Sequence, residues 1–251
     1  MKHRYFIEIS YRGTAYHGWQ VQPNALSVQE VLNSCLSKLL SLEIYVVGAG
    51  RTDTGVHAKQ LFAHFDLDDL IVDVPSFIGR LNAFLPNDIA VISLRKVQLD
   101  AHARFDASSR TYQYLVIQQK NPFKEEGAYL FHKNLDIAKM NEAAQCLFNF
   151  KDFSSFSKSD TQTKTNNCNI MQAQWEKEKE LLVFTIQADR FLRNMVRAIV
   201  GTLIDVGIGK ISQQDFVNII LSKNRSNAGA SVPAKGLYLV QVDYPKNIWN
   251  E

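Results

Sequence analysis

The stretch Gly48-Ala49-Gly50-Arg51-Thr52-Asp53-Thr54-Gly55-Val56-His57-Ala58 sets a guanidinium, a carboxylate and two hydroxyls among three glycines. Glycines at that density mean a backbone that bends sharply or lets a neighbour come close. A carboxylate beside a cation holds its charge more readily, and a charged carboxylate can serve as nucleophile or base. Asp53-Thr54-Gly55 looks like half of an aspartic protease site, but that chemistry needs two carboxylates sharing a proton. The chain has no second Asp-Thr-Gly, so that reading is rejected. A phosphate-binding loop fails as well, because the Lys-Ser/Thr ending is missing. Two readings remain: a polar turn in which Asp53 bonds its own backbone, and an active-site loop carried by flanking strands.

Two further stretches could work with such a carboxylate. From His102 to Tyr114 (HARFDASSRTYQY) cations alternate with aromatics, the mix that pairs phosphates and stacks bases. An exposed basic strand edge would read the same way. Tyr112 is the candidate stacking platform, with core packing as the ordinary alternative for a tyrosine. From Ala188 to Gly201, Arg190 leads into a helical pattern in which Arg193 and Arg197 stand four apart and so share a face. That face is either a solvated flank or a row reaching toward Asp53 or nucleic-acid phosphates. The loop Gly13–Ser27 and the polar region around Lys158, Lys164 and Asn166 add donors without a definable motif. The six histidines show no ligand spacing such as His-Glu-x-x-His, so no metal is expected.

Positioning these groups falls to a simple order of elements. His3–Tyr11 alternates like a strand, and Ser27 with Glu30 forms a capping box ahead of a helix whose apolar face carries Val28, Val31, Leu32, Cys35, Leu36, Leu39 and Leu40. Strands are expected over Glu43–Val47 and Lys59–Leu67, a helix over Pro75–Leu85, and a strand over Asp88–Val97. The order is β-α-β-β-α-β, and it repeats. Ser109–Gln118 is a strand, Asp136–Phe148 a helix, and Ile170–Glu176 with Leu181–Ala188 a hairpin around Lys177–Glu180. Helices over Phe191–Val206 and Gln213–Ser222 precede a last strand, Leu237–Tyr244. The expectation is an α+β chain of two ferredoxin-like domains, residues 1–106 and 107–251. Each domain carries helices on one face of an antiparallel sheet and leaves the other free, and either the free faces meet or the sheets join around a central cleft.

Bulk properties bound the class. The 251 residues are 46% hydrophobic and 21% charged, an ordinary globular balance. A net charge of +3 is too mild to mark a nucleic-acid binder by itself. No apolar run approaches the roughly 20 residues a membrane helix needs, and Met1-Lys2-His3-Arg4-Tyr5 runs into a strand pattern without a signal peptide. Cys35, Cys146 and Cys168 are odd in number and far apart, which suggests neither a disulfide framework nor a zinc knuckle. A reducing cytoplasm is the expected location.

Taken together, five blocks resemble the bacterial tRNA pseudouridine synthase A family, in order along nearly the whole chain. They are Tyr11–Gln20 (YRGTAYHGWQ), Gly48–Ala58, His102–Phe105 with Arg110–Tyr114, Phe191–Arg197 (FLRNMVR) and Ala230–Leu239 (ASVPAKGLYL). The departures are small: Arg193-Asn194 stands where members often carry His before Met195, and Thr111 where they carry Arg or Asn. The resemblance implies isomerisation of uridine to pseudouridine at positions 38, 39 and 40 of the tRNA anticodon stem-loop, without cofactor or metal. It implies two ferredoxin-like domains, a homodimer, and a tRNA cleft crossing both subunits. Asp53 would be the nucleophile or base; it could attack the ribose C1′, attack the uracil ring, or take the C2′ proton. Arg197 would be its cationic partner. Tyr112 would stack on the flipped uracil, Leu237 would wall the ring, and Arg51 would support the loop and the displaced RNA. Arg104 and Arg193 would bind substrate, and the three glycines of the Asp53 loop would let an RNA backbone come close.

Overall fold

Alternating apolar residues in His3–Tyr11 form β1, which lies antiparallel between β3 (His57–Leu67) and β4 (Ile89–Val97) in the computed structural model. The structure describes residues 2–158 and 165–249, so Lys164 lies outside the described residues. Among those residues the chain is mixed α/β, with nine strands and five α-helices. None of these helices is long and apolar enough to cross a membrane. The chain divides into two compact units, one of Met1–Ser108 with Leu239–Glu251 and one of Ser109–Tyr238.

In the first unit the order is β1, α1 (Val28–Leu40), β2 (Val47–Gly48), β3, α2 (Val74–Phe84) and β4. Register pairs Tyr5 with Phe65, Ile7 with Ala63 and Ile9 with Leu61, and all six side chains are buried. Period-2 alternation therefore puts one full apolar row of each strand on the same face. Ser27 caps α1 by accepting from the Glu30 amide at 3.2 Å. Asp73 does the same for α2, accepting from Ser76 at 3.0 Å. The strand expected over Glu43–Val47 shrinks to the two residues of β2 because α1 takes its backbone groups. Ser37 Oγ accepts from the Ile44 amide, Asn33 Oδ1 accepts from the Val46 amide, and Gln29 Nε2 donates to the Val46 carbonyl, all within 2.9 Å.

The opposite face of this sheet is not left free as expected. Phe6, Phe62 and His64 point there and are buried, because the chain's last described residues fold back over them. Tyr244 meets Phe6 at 5.3 Å between ring centroids and Phe62 at 5.4 Å, and Trp249 lies 5.8 Å from each. The Arg95 guanidinium caps the cluster 5.2 Å from the Trp249 ring. Large aromatics on both faces of a sheet need cover on both, since each ring buries a large apolar area.

The second unit contains β5 (Ser109–Ile117), the short β6 (Tyr129–Leu130) beside it, α3 (Ile137–Gln145), β7 (Ile170–Glu178), β8 (Leu181–Ala188), α4 (Met195–Gly207) and α5 (Gln213–Ser222). Strand β8 runs antiparallel between β5 and β7, pairing Tyr112 with Ile186, and Tyr114 and Trp175 with Phe184. Those side chains share the apolar face, whereas Gln113, Thr185 and Gln174 line the other. Asn141 on α3 holds the edge of β7 by accepting from the Trp175 amide at 2.7 Å and donating to its carbonyl at 3.0 Å. The last strand, β9 (Leu237–Asp243), leaves this unit and continues beside β3 in the first.

Two boundaries differ from expectation. The helix expected through Phe148 ends at Gln145 and tightens into a 3-10 turn over Cys146–Asn149. Helix α4 begins at Met195 rather than Phe191, because Asn194 takes a left-handed conformation with φ of 66°. Arg193 is therefore off the helix. The expected shared helical face of Arg193 and Arg197 does not exist.

Candidate active site

Asp53 sits half-buried between exposed residues, Arg51 and Thr54, in the connection from β2 to β3. What fixes it is the side chain and backbone around Thr52. The Thr52 hydroxyl, 7% exposed, lies 2.7 Å from the Tyr11 hydroxyl at the end of β1. The Thr52 carbonyl accepts from the Trp19 amide at 3.2 Å, and the Tyr16 carbonyl accepts from Gly55 at 3.3 Å. A turn closes directly behind the carboxylate, with the Val56 amide donating to the Asp53 carbonyl at 3.1 Å. His57 is buried and accepts through Nδ1 from the Gly13 amide at 3.0 Å, so it is a framework residue. The loop Gly13–Ser27, a set of donors without motif in the sequence, is thus the cradle of the Asp53 loop. Its own anchor is Tyr16, whose phenol donates to Asp88 at 2.6 Å.

The cradle also explains a glycine. A Cβ on Gly48 would stand 2.5 Å from the indole of Trp19, which is itself fully buried. Gly48 is small because Trp19 packs on it, and Gly55 carries the positive φ of the turn. Around Gly50 a Cβ would meet nothing within 4 Å, which matches the expected open approach.

Arg104 stands exposed on a separate turn of the same unit, over residues 102–106. That turn hangs from a buried histidine. His64 Nδ1 accepts from the Ala103 amide at 3.1 Å, and its ring centroid lies 4.6 Å from that of His102. Burial, then the charge of Arg4 and the neighbouring His102, push His64 down to about 4, against the opposing pull of Asp66 and Asp106. Its ordinary value is 6.5, so the unfolded chain takes up the proton first as pH falls. The stabilisation is complete above pH 6.5 and is lost as pH falls toward 4, by up to about 3 kcal/mol. Denaturant midpoints compared between the wild type and His64→Gln should converge across that window; parallel pH profiles would show that His64 is not the group responsible.

In the second unit the predicted residues occupy one knitted region. Arg197 on α4 donates through Nε to the Val232 carbonyl at 2.7 Å and returns its own carbonyl to the Val232 amide at 3.2 Å. Asn194 Nδ2 donates to Ser231 Oγ at 2.6 Å, and Tyr114 donates to the Pro233 carbonyl at 2.8 Å. Burial pushes the Tyr114 phenol far up, with the Arg197 charge acting the other way. Leu237 follows this segment and is 6% exposed at the start of β9. Tyr112, two residues before Tyr114 on the same face, is half-buried and meets Phe191 edge-on at 5.1 Å. Arg193 is exposed, and its carbonyl accepts from the Lys158 amide at 3.1 Å.

Sequence reasoning missed Arg225, which ties this region together. Its guanidinium donates to the Gly229 carbonyl at 3.2 Å and to Ser231 Oγ at 2.9 Å. Nothing around it in the sequence signals that role. Arg51 and Asp53 thus share one loop of the first unit, Arg104 lies on a separate turn of that unit, and Arg197, Tyr112, Leu237 and Arg193 lie in the second.

Comparison with known proteins bears on this arrangement. Residues 143–245 match a family described as tRNA pseudouridine synthase. The tRNA pseudouridine synthase A of Bacteroides fragilis is 54% identical over 247 residues, covering 98% of both chains. That of Bacteroides thetaiotaomicron is 52% identical, covering 99% of this chain and 93% of the relative. A more distant relative from Thermoanaerobacter pseudethanolicus is 38% identical across 95% of this chain and 98% of its own. With identity of that level over nearly its whole length, and with each motif block placed on a defined loop, helix or strand, the chain belongs to the tRNA pseudouridine synthase A family of isomerases.

Proposed function

We propose that this chain isomerises uridine to pseudouridine in the anticodon stem-loop of tRNA, with Asp53 as the group that engages the nucleotide. Family membership carries the reaction class. The observation that supports the residue is the construction around it: Thr52, Trp19 and Gly55 fix the half-buried loop that presents Asp53.

The reaction breaks the bond from N1 to C1′, turns the base and forms a bond from C5 to C1′; the C5 hydrogen leaves as a proton and N1 takes one up. An ionised carboxylate can begin this by attacking C1′, by attacking the uracil ring, or by removing the C2′ proton. Each demands that the target base leave its stack, at a cost of a few kcal/mol. Tyr112 would recover part of that by stacking on the uracil, roughly 1–3 kcal/mol. Leu237 would supply an apolar wall for the ring. Arg197 would hold Asp53 ionised, since a nearby cation favours the charged form. The exposed Arg51, Arg104 and Arg193 suit phosphate contacts, which bring steep salt dependence.

The wider reading goes with this. Each unit is a ferredoxin-like domain, a view supported in the first unit by its β-α-β-β-α-β order and by β1 pairing with both β3 and β4. The working form is a cytoplasmic homodimer.

Unmodified tRNA labelled with tritium at uridine C5 tests the proposal. The wild type should release tritium to water until the target sites are exhausted, with no added cofactor. Tight binding without release would make the chain an RNA-binding protein instead.

A further inference from the structure

We propose that Phe105 is a second base-stacking residue, which takes an unpaired RNA nucleotide other than the target uridine; this rests on the reading of the chain as a tRNA-acting enzyme. The ring is 73% exposed. A single exposed aromatic is ordinary on a protein surface; a rigidly presented one is not. His102 accepts through Nδ1 from the Arg104 amide at 3.1 Å and the Phe105 amide at 3.4 Å. The Asp106 carboxylate accepts from the His102 amide at 2.6 Å, and the Asp106 amide donates back to the His102 carbonyl at 3.1 Å. Three groups from elsewhere in the unit then fix the turn to the sheet. His64 accepts from the Ala103 amide, Tyr244 donates to the Ala103 carbonyl at 2.6 Å, and Arg4 donates to the Ala101 carbonyl at 2.9 Å.

The ring itself has neighbours that suit a nucleotide. The His102 ring lies 4.3 Å from it between centroids, and the Arg104 guanidinium carbon is 5.5 Å from its centre. An aromatic face next to a cation matches a base and its phosphate together. Phe123 makes the contrast. It is 96% exposed, and the turn under it is held by Asn121 from within the same loop, accepting from the Phe123 and Lys124 amides at 3.0 Å each. Exposure alone does not distinguish the two phenylalanines; the anchoring and the cation do.

Titration of full-length protein with unmodified tRNA tests this. Phe105→Ala should weaken binding roughly tenfold, in line with loss of one stacked base, with the thermal midpoint unchanged. Its salt slope should match the wild type, whereas Arg104→Ala should flatten the slope by about 1. Phe105→Leu should behave like the alanine variant, since it keeps apolar area but no π face. Phe105→Trp should bind like the wild type, with its added emission quenched by tRNA. Unchanged affinity in Phe105→Ala, full rescue by leucine, or a changed sedimentation coefficient each overturns the assignment, the last by making Phe105 a contact between copies. If the wild type releases no tritium, the enzymatic reading fails; if it does and Phe105→Ala binds normally, this inference fails alone.

Discussion

Asp53→Asn leaves the fold and tRNA binding in place and lowers isomerisation by about 10⁴-fold or more, the scale seen when a reacting group is removed from an enzyme. The amide has nearly the shape of the carboxylate but can neither attack carbon nor take a proton. The fold is insensitive to the change because the loop hangs from its neighbours: Thr52 through Tyr11 and Trp19, Gly55 through the Tyr16 carbonyl. The backbone carbonyl of Asp53 receives the Val56 amide, which asparagine leaves unchanged. Single-turnover tritium release at saturating enzyme measures the chemical step apart from binding. Release within tenfold of the wild type would remove Asp53 from the reaction, whichever of the three points of attack applies. A large fall in thermal midpoint would instead show that the carboxylate is part of the framework.

How much of this was readable in the sequence depends on where the partners of each backbone group lie. Alternation found β1, the Ser27 capping box found the start of α1, and helical periodicity found α2 and α5 nearly to the residue, because these signals are local. The shortening of the strand before Gly48 was not seen, although a trace was there. Gln29, Asn33 and Ser37 stand at four-residue spacing on one face of α1, a polar stripe that satisfies the backbone of residues 44–46. The start of α4 was missed for the opposite reason. Phe191 and Leu192 continue the helical periodicity, and a left-handed Asn194 interrupts it without a proline or glycine to announce the break. The Asp53 loop was legible as chemistry from residue types alone. Its support was not, because Gly13–Ser27 reads as irregular chain until the hydrogen bonds to Thr52, Gly55 and His57 are seen.

That support leads to the second large effect, Gly18→Ala. Gly18 has φ of 89°, and a Cβ there would lie 2.3 Å from the Thr52 carbonyl oxygen and 3.2 Å from the Asp53 carbonyl carbon. Two penalties combine, a backbone conformation unfavourable to alanine and an overlap with backbone that cannot rotate away. Together they should cost about 2–4 kcal/mol and lower the thermal midpoint by roughly 5–15 °C. If the chain stays folded, the overlap is relieved by moving the Thr52 carbonyl, and Asp53 moves with it. Turnover well below the new midpoint should then fall by up to about 100-fold, the scale expected when a reacting group is displaced by an ångström. Gly50→Ala is the matched comparison, since its Cβ would enter open space in the same loop and its midpoint should stay at the wild-type value. Equal midpoints for the two variants would mean that the close approach of Gly18 to Thr52 does not hold the loop. A destabilised Gly18→Ala that keeps full turnover when folded would separate the loop's stability from the placement of Asp53, and the cradle would then matter to the fold alone.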